Sequence, residues 1–210
     1  MRWIIERRAW EIWANLKVMS SDKVEGWTRR YQKAKTDEVA EIDQLAKWLA
    51  ENMPGESASA LIHNDFKYDN LVLDPDDWSK VIAVLDWEMA TLGDPLMDLG
   101  TSLAYWMDPN DPPEILMLQL SPTTLPGNPD RRQVAEMYAQ ASGRDLGDLV
   151  FYYAFGMFKI AVIVQQIYYR FKKGYTKDPR FAMLNHAVKG CGVMGMQAIR
   201  KGRIDGLFAS

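Results

Sequence analysis

Asp65 and Asn70 stand five residues apart in His63-Asn64-Asp65-Phe66-Lys67-Tyr68-Asp69-Asn70, and Asp86 closes the apolar run Val81-Ile82-Ala83-Val84-Leu85. Carboxylate and amide oxygens suit a hard cation such as Mg2+, which keeps waters and phosphate oxygens as its other ligands. A second carboxylate can orient a hydroxyl and accept its proton. Lys67 adds a positive charge two residues from Asp65, where a phosphate could be met. Base, cation and metal ligands together are the components of phosphoryl transfer, in which positioning and electrostatics carry most of the catalysis.

The flanking residues say how these groups would be held. Leu61-Ile62 leads into the polar cluster, Leu71-Val72-Leu73 leaves it, and Val81 to Leu85 follows the turn signal Asp74-Pro75-Asp76-Asp77. That order reads as strand, loop, strand, turn, strand, with a hairpin about the turn. The polar groups then collect at strand ends, where scaffolded loops carry function. The bland alternative is a hairpin with solvated turn acids. It suits Asp74, Asp76 and Asp77, but it leaves the joint spacing of Asp65, Asn70 and Asp86 unexplained. His63, beside an apolar run, reads as a structural hydrogen-bonding residue.

The stretch from His63 to Asn70 resembles the catalytic loop of kinase-like small-molecule phosphotransferases, the aminoglycoside and choline kinase superfamily. Leu85-Asp86-Trp87-Glu88 resembles that family's metal-binding strand end, and Gly93-Asp94-Pro95-Leu96-Met97-Asp98-Leu99-Gly100 the segment after it. Asn64 stands where many members have Gly. The resemblance implies Asp65 as catalytic base, Lys67 near the transferred phosphoryl group, and Asn70 and Asp86 as Mg2+ ligands. Glu88 is counted as a further metal ligand and Val72 as a nucleotide contact on the same ground. ATP or another nucleoside triphosphate is the implied donor, and a small-molecule hydroxyl the acceptor. The form Asp-Phe-Lys-Tyr-Asp-Asn is similar to the branch fused to acyl-CoA dehydrogenases, which implies a hydroxyacyl-CoA or another non-cationic acceptor rather than an aminoglycoside. The fold implied is α+β: the mostly helical C-terminal lobe of a protein-kinase-like fold, with a small central β-hairpin region.

The rest of the chain fits one domain spanning residues 1–210. Residues 2–18 read as an amphipathic helix. Ser21 or Asp22 caps a second helix to about Lys35, whose Arg29, Arg30, Lys33 and Lys35 read as a solvated face. Asp37 is expected to cap a third helix to about Asn52, with Val39, Ile42, Leu45, Ala46 and Leu49 on one face. Asp94-Pro95 marks a helix N-terminus running to about Trp106, and Asp98, one turn inside, is read as structural with a possible aim at the loop. The six prolines of residues 108–130 predict a loop that borders a cleft or is mobile. Helices follow over residues 131–141, from Asp148 to about Lys172, and from about Pro179 to Arg200. Gly190-Cys191-Gly192-Val193-Met194-Gly195 matches GxGxxG, but it lies inside a helical pattern with no strand before it, so close helix packing is expected.

Composition bounds the function classes. Apolar residues at 48% fit a globular protein, and a net charge of −3 argues against general nucleic-acid binding. One cysteine, Cys191, excludes an internal disulfide and fits a reducing, cytoplasmic setting. Leu149 to Tyr169 is interrupted by Lys159 and Gln165-Gln166, so it reads as a core helix, with no membrane span expected. Lys159, Arg170, Lys172 and Lys173 are read as either acceptor-facing or solvated. No strand-rich segment precedes residue 60, so the N-terminal nucleotide-binding lobe is expected to be absent from this sequence. Two alternatives follow. The chain could be a non-catalytic remnant that binds a ligand or partner, as a homodimer or with a separate lobe. It could instead be a metal-dependent hydrolase, for which only two histidines are at hand.

Overall fold

The computed structural model describes residues 21–55 and 59–209. The helix expected over residues 2–18 lies outside them. Helix α1, Ser21–Ala34, buries Val24, Tyr31 and Ala34 and turns Arg29, Arg30 and Lys33 outward, as a basic solvated face should. Lys35 departs from that face by pairing with Glu38 and Asp43 at 2.8 and 2.9 Å. Helix α2, Ala40–Glu51, carries Ile42, Leu45, Ala46 and Leu49 on its buried side. Asp37 does not cap it. Its carboxylate accepts from the Thr36 hydroxyl, and Val39 occupies the cap position with no side-chain bond.

The β region forms two antiparallel pairs rather than one run of three strands. β2, Leu71–Leu73, and β3, Val81–Val84, make the expected hairpin, with an irregularity between Val72 and Leu73. Asp74 and Asp77 shape its turn by accepting from the amides of Asp76 and Ser79. β1, Ala60–Ile62, pairs instead with β4, Thr91–Gly93, a strand too short and polar to stand out in the sequence. This second pair draws the start of the His63-to-Asn70 stretch against the segment that opens α3.

Helix α3, Pro95–Tyr105, begins as its Asp-Pro signal predicts: the Asp94 carboxylate accepts from the Leu96 amide at 2.8 Å. The proline-rich segment holds one helical turn, α4 (Pro113–Leu116), and is pinned rather than loose. Thr123 Oγ1 donates to the Met107 carbonyl at 2.8 Å, and Trp106 Nε1 to the Pro129 carbonyl at 2.8 Å. Helix α5, Arg131–Ser142, opens on an Asp130/Gln133 capping box and ends at Gly143 in the left-handed conformation. Its Arg131 is buried in a bidentate pair with Asp111 and also donates to the Trp106 carbonyl. That interaction ties the proline-rich segment to the helix.

Helix α6, Leu149–Lys172, runs through the core between α3 and α7, Leu184–Lys201. It is long and apolar enough to cross a bilayer, and most of it is buried within the protein. Residues 179–183, expected to open the last helix, form a separate 3-10 turn capped by Asp178. Small residues set the helix spacings. A Cβ on Gly156 of α6 would lie 2.6 Å from the Gly100 carbonyl oxygen of α3. Cβ atoms on Gly192 and Gly195 of α7 would lie 2.8 Å from Glu41 and 2.7 Å from Leu45 of α2. The GxGxxG stretch is thus mid-helix packing, and buried Cys191 within it has its thiol pushed up to about 12 by desolvation.

Candidate active site

The loop between β1 and β2 is built on backbone geometry that few residues adopt. Asn64 has φ 68°, in the left-handed region that suits Gly, Asn and Asp. Asn therefore does there what Gly does in many relatives of the resembling family. Both oxygens of Asp98 hold this bend: they accept from the amides of His63 at 2.7 Å and Asn64 at 2.8 Å. Asp98 is structural, as read from its helix position, and it does aim at the loop.

His63 is buried and fixes the loop to the next strand. Its Nδ1 accepts from the Asp65 amide at 3.3 Å, so Nε2 carries the proton and donates to the Leu85 carbonyl at 2.7 Å. The ring lies against Trp87 with centroids 4.7 Å apart. Asp65 then meets Lys67 and Asn70. Lys67 Nζ lies 2.9 Å from Asp65 Oδ2, and Asn70 Nδ2 donates to the Asp65 carbonyl at 2.7 Å and to Oδ2 at 3.1 Å. Lys67 also sits over the Tyr105 ring at 4.9 Å. Burial, and then the neighbouring Asp65 charge, hold the Tyr105 phenol protonated well above its usual range.

Asp86 reaches the same place through the backbone. The Leu85 amide donates to the Asn70 carbonyl at 2.8 Å, which sets Asp86 one residue beyond Asn70's neighbour. Asp86 is itself left-handed, with φ 59°, and opens the 3-10 turn Trp87–Met89 that carries Glu88. Both carboxylates are exposed, and among the described residues neither makes a hydrogen bond or ion pair. Val72 lies on β2 opposite Ala83. The structure therefore brings Asp65, Lys67 and Asn70 into direct contact, places Asp86 beside them, and leaves Glu88 one turn away.

This donor set fits a Mg2+ ion of the kind that keeps most of its ligands as water and phosphate. Asn70 spends its amide nitrogen on Asp65 and keeps Oδ1, and Asp86 offers an unpaired carboxylate. Among the described residues, no group of three or more His, Cys, Asp or Glu side chains forms an all-protein cage.

Beside the loop lies a cavity of about 590 Å3. Lys67 and Asp98 line it, and Leu61, Tyr68, Tyr105, Trp106 and Tyr138 form much of its wall. Arg144, just past α5, adds a second cation, and Ser102 and Ser121 add hydroxyls. Among the described residues Asp98 is the one acid in the lining, and both its oxygens accept from loop amides.

The sequence matches the Phosphotransferase enzyme family over residues 7–146. The chain belongs to that family. It is 32% identical to a Ralstonia eutropha protein provisionally assigned as an aminoglycoside phosphotransferase, whose crystal structure superposes with a TM-score of 0.73. That match covers 85% of this chain and 54% of the other. The chain is also 31% identical to Homo sapiens acyl-CoA dehydrogenase family member 11 over 182 residues, 85% of this chain and 23% of that protein. With Mus musculus acyl-CoA dehydrogenase family member 10 it shares 35% identity over 158 residues, 74% of this chain and 15% of that one. The chain thus spans about half of the solved relative and less than a quarter of these two curated ones. The α+β, mostly helical kinase-like fold expected from the sequence is the fold observed.

Several site groups were not singled out from the sequence. Tyr105, Trp106 and Tyr138 carry no motif that marks them as cavity wall. Lys159 was read as acceptor-facing or solvated, yet it is buried beneath the loop. Its signal was present: one lysine in an otherwise apolar run.

Proposed function

We propose that this chain is the catalytic lobe of a small-molecule kinase, which moves the terminal phosphoryl group of ATP or another nucleoside triphosphate to a hydroxyl with Mg2+. The observation that carries this reading is the contact set Asp65, Lys67 and Asn70, with Asp86 brought alongside. Asp65 orients the acceptor hydroxyl and takes its proton as the new oxygen–phosphorus bond forms and the bond to the leaving nucleoside diphosphate breaks. Lys67 faces the charge on the transferred group. Asn70 and Asp86 would hold Mg2+, Glu88 in the turn after Asp86 would add to that set, and Val72 of β2 would contact the nucleotide. Mg2+, when bound, supplies neutralising charge at the phosphates.

The cavity favours a non-cationic acceptor with an apolar body. Its wall is largely aromatic and aliphatic, and Lys67 and Arg144 outnumber the Asp98 carboxylate, whose oxygens already accept from the loop amides. A hydroxyacyl thioester suits such a lining, and the two acyl-CoA dehydrogenase relatives support the same class.

A nucleotide-binding lobe completes the site. The β face beside Asp86 exposes Ile82, Leu85, Trp87 and Met89, an apolar surface of the sort that partner lobes cover. The same surface supports the second reading, a ligand- or partner-binding module that pairs with another copy of itself. The working compartment proposed is the cytoplasm. The test is a panel of hydroxy compounds offered to the full-length gene product with Mg-ATP. Phosphorylation of a hydroxyacyl thioester in preference to aminoglycosides supports the reading. Nucleotide binding with no transfer to any hydroxyl favours the binding module.

A further inference from the structure

The helix that crosses the core carries one lysine where every neighbour is apolar or small. Lys159 is 5% exposed, between Phe158 and Ile160, on the stretch of α6 that packs against α3. Its ammonium lies 3.4 Å from the Asn64 carbonyl and 3.2 Å from Thr101 Oγ1, with the Trp27 ring beyond at 5.8 Å. Among the described residues no carboxylate pairs with it. A buried ammonium that has only neutral acceptors is a poor way to stabilise a core, and a methionine would fill the space without losing hydration.

What the charge does hold is the bend before Asp65. The Asn64 amide goes to Asp98, and the Asn64 carbonyl goes to Lys159. Thr101, the second acceptor of Lys159, lies one turn after Asp98 on α3. One residue in the left-handed region is thus gripped at both polar ends by opposite charges from two helices. The left-handed region suits Asn, and these two contacts fix which way its peptide groups face.

We infer that Lys159 is a positioning residue, which locks the Asn64 peptide from beneath the loop and so fixes the direction of the Asp65 carboxylate for proton acceptance. The inference rests on the kinase reading for its purpose, but its geometry can be tested without turnover. The groups facing Lys159 are Asp98 and Thr101 on α3, Asp65 and Asn64 on the loop, and Lys23 and Trp27 on α1. Desolvation, against the pull of Asp98 and Asp65, brings the Lys159 ammonium down to about 8, so its charge is lost just above neutral pH.

The experiment is amide hydrogen exchange at His63, Asn64 and Asp65, read residue by residue, in wild type and in Lys159→Met between pH 6.5 and 9.5. After correction for intrinsic exchange, wild-type protection at Asn64 and Asp65 should fall on the order of tenfold through pH 8, as one charge-assisted hydrogen bond is lost. Lys159→Met should show the low protection throughout, with α6 and α7 still protected. In the full-length enzyme the same substitution should lower kcat with little change in the KM for nucleotide. The wild-type profile serves if the variant does not fold. A flat wild-type profile, or unchanged loop protection in a folded Lys159→Met, overturns the inference. A step in protection with no phosphoryl transfer to any hydroxyl leaves the lock standing and overturns the kinase reading instead.

Discussion

The helical body and the β face of this protein treat apolar residues in opposite ways. In the body, Tyr153, Phe155, Met157 and Phe158 of α6 are at most 1% exposed, and glycines set helix spacings too tight for a methyl group. On the β face, Ile82 of the four-residue β3 is 53% exposed, Trp87 of the 3-10 turn after it 49%, and Trp78 of the hairpin turn 78%. The body completes its own burial. The β face offers apolar surface outward, next to the residues assigned to Mg2+ and nucleotide. Between them lies the Asp65 loop, joined to the body through Asp98 and Lys159 and to the β face through His63 and Asn70. The difference teaches that one region completes its own burial while the other leaves apolar surface exposed, as the proposed docking of a partner lobe requires.

The contrast breaks most sharply in the scaffold. Gly156→Leu would force a side chain into the Gly100 carbonyl, and should cost roughly 3 kcal/mol or more, read as loss of cooperative thermal unfolding. Asp98→Ala removes two charge-assisted hydrogen bonds from the loop and should cost about 2–4 kcal/mol in denaturant unfolding.

Lys159→Met sharpens the comparison by separating stability from function. Lys159 carries a value of about 8 when folded and an ordinary 10.5 when unfolded. Between those values the unfolded chain binds the extra proton, so the lysine destabilises the fold fully below about pH 8 and progressively less up to about pH 10.5. The methionine variant should therefore be more stable than wild type by ~2 kcal/mol at pH 7, allowing for lost hydrogen bonds. That gap should close as pH rises from about 8 to 10.5, in parallel denaturant melts. A gap independent of pH would mean that Lys159 keeps its charge across this range. The smallest effect is expected at the β face. Ile82→Ser should change the stability of this chain by less than about 0.5 kcal/mol, yet weaken self-association or lobe docking in sedimentation measurements.

Much of this was legible in the sequence because local chemistry dictated it. Asp94-Pro95 starts a helix and Asp74 to Asp77 turns a hairpin, each through bonds a few residues long. The catalytic stretch was legible because its spacing is short. Less visible was whatever depends on distant pairing. β4 is three residues long and is defined only by β1 across the loop. Asp37 does not cap α2, whose cap position falls two residues later at Val39, while the Asp37 carboxylate accepts from Thr36. The lock on Asn64 joins residues 64, 98 and 159, which no periodicity relates.

The most direct measurement compares Asp65→Asn with wild type in the full-length gene product, following ADP release and product formation with Mg-ATP and its best hydroxyl acceptor. The account predicts loss of turnover by at least about a hundredfold, with Mg-nucleotide affinity changed by no more than about twofold. Turnover near that of wild type in Asp65→Asn would contradict the assignment of Asp65 as the base around which this loop is built.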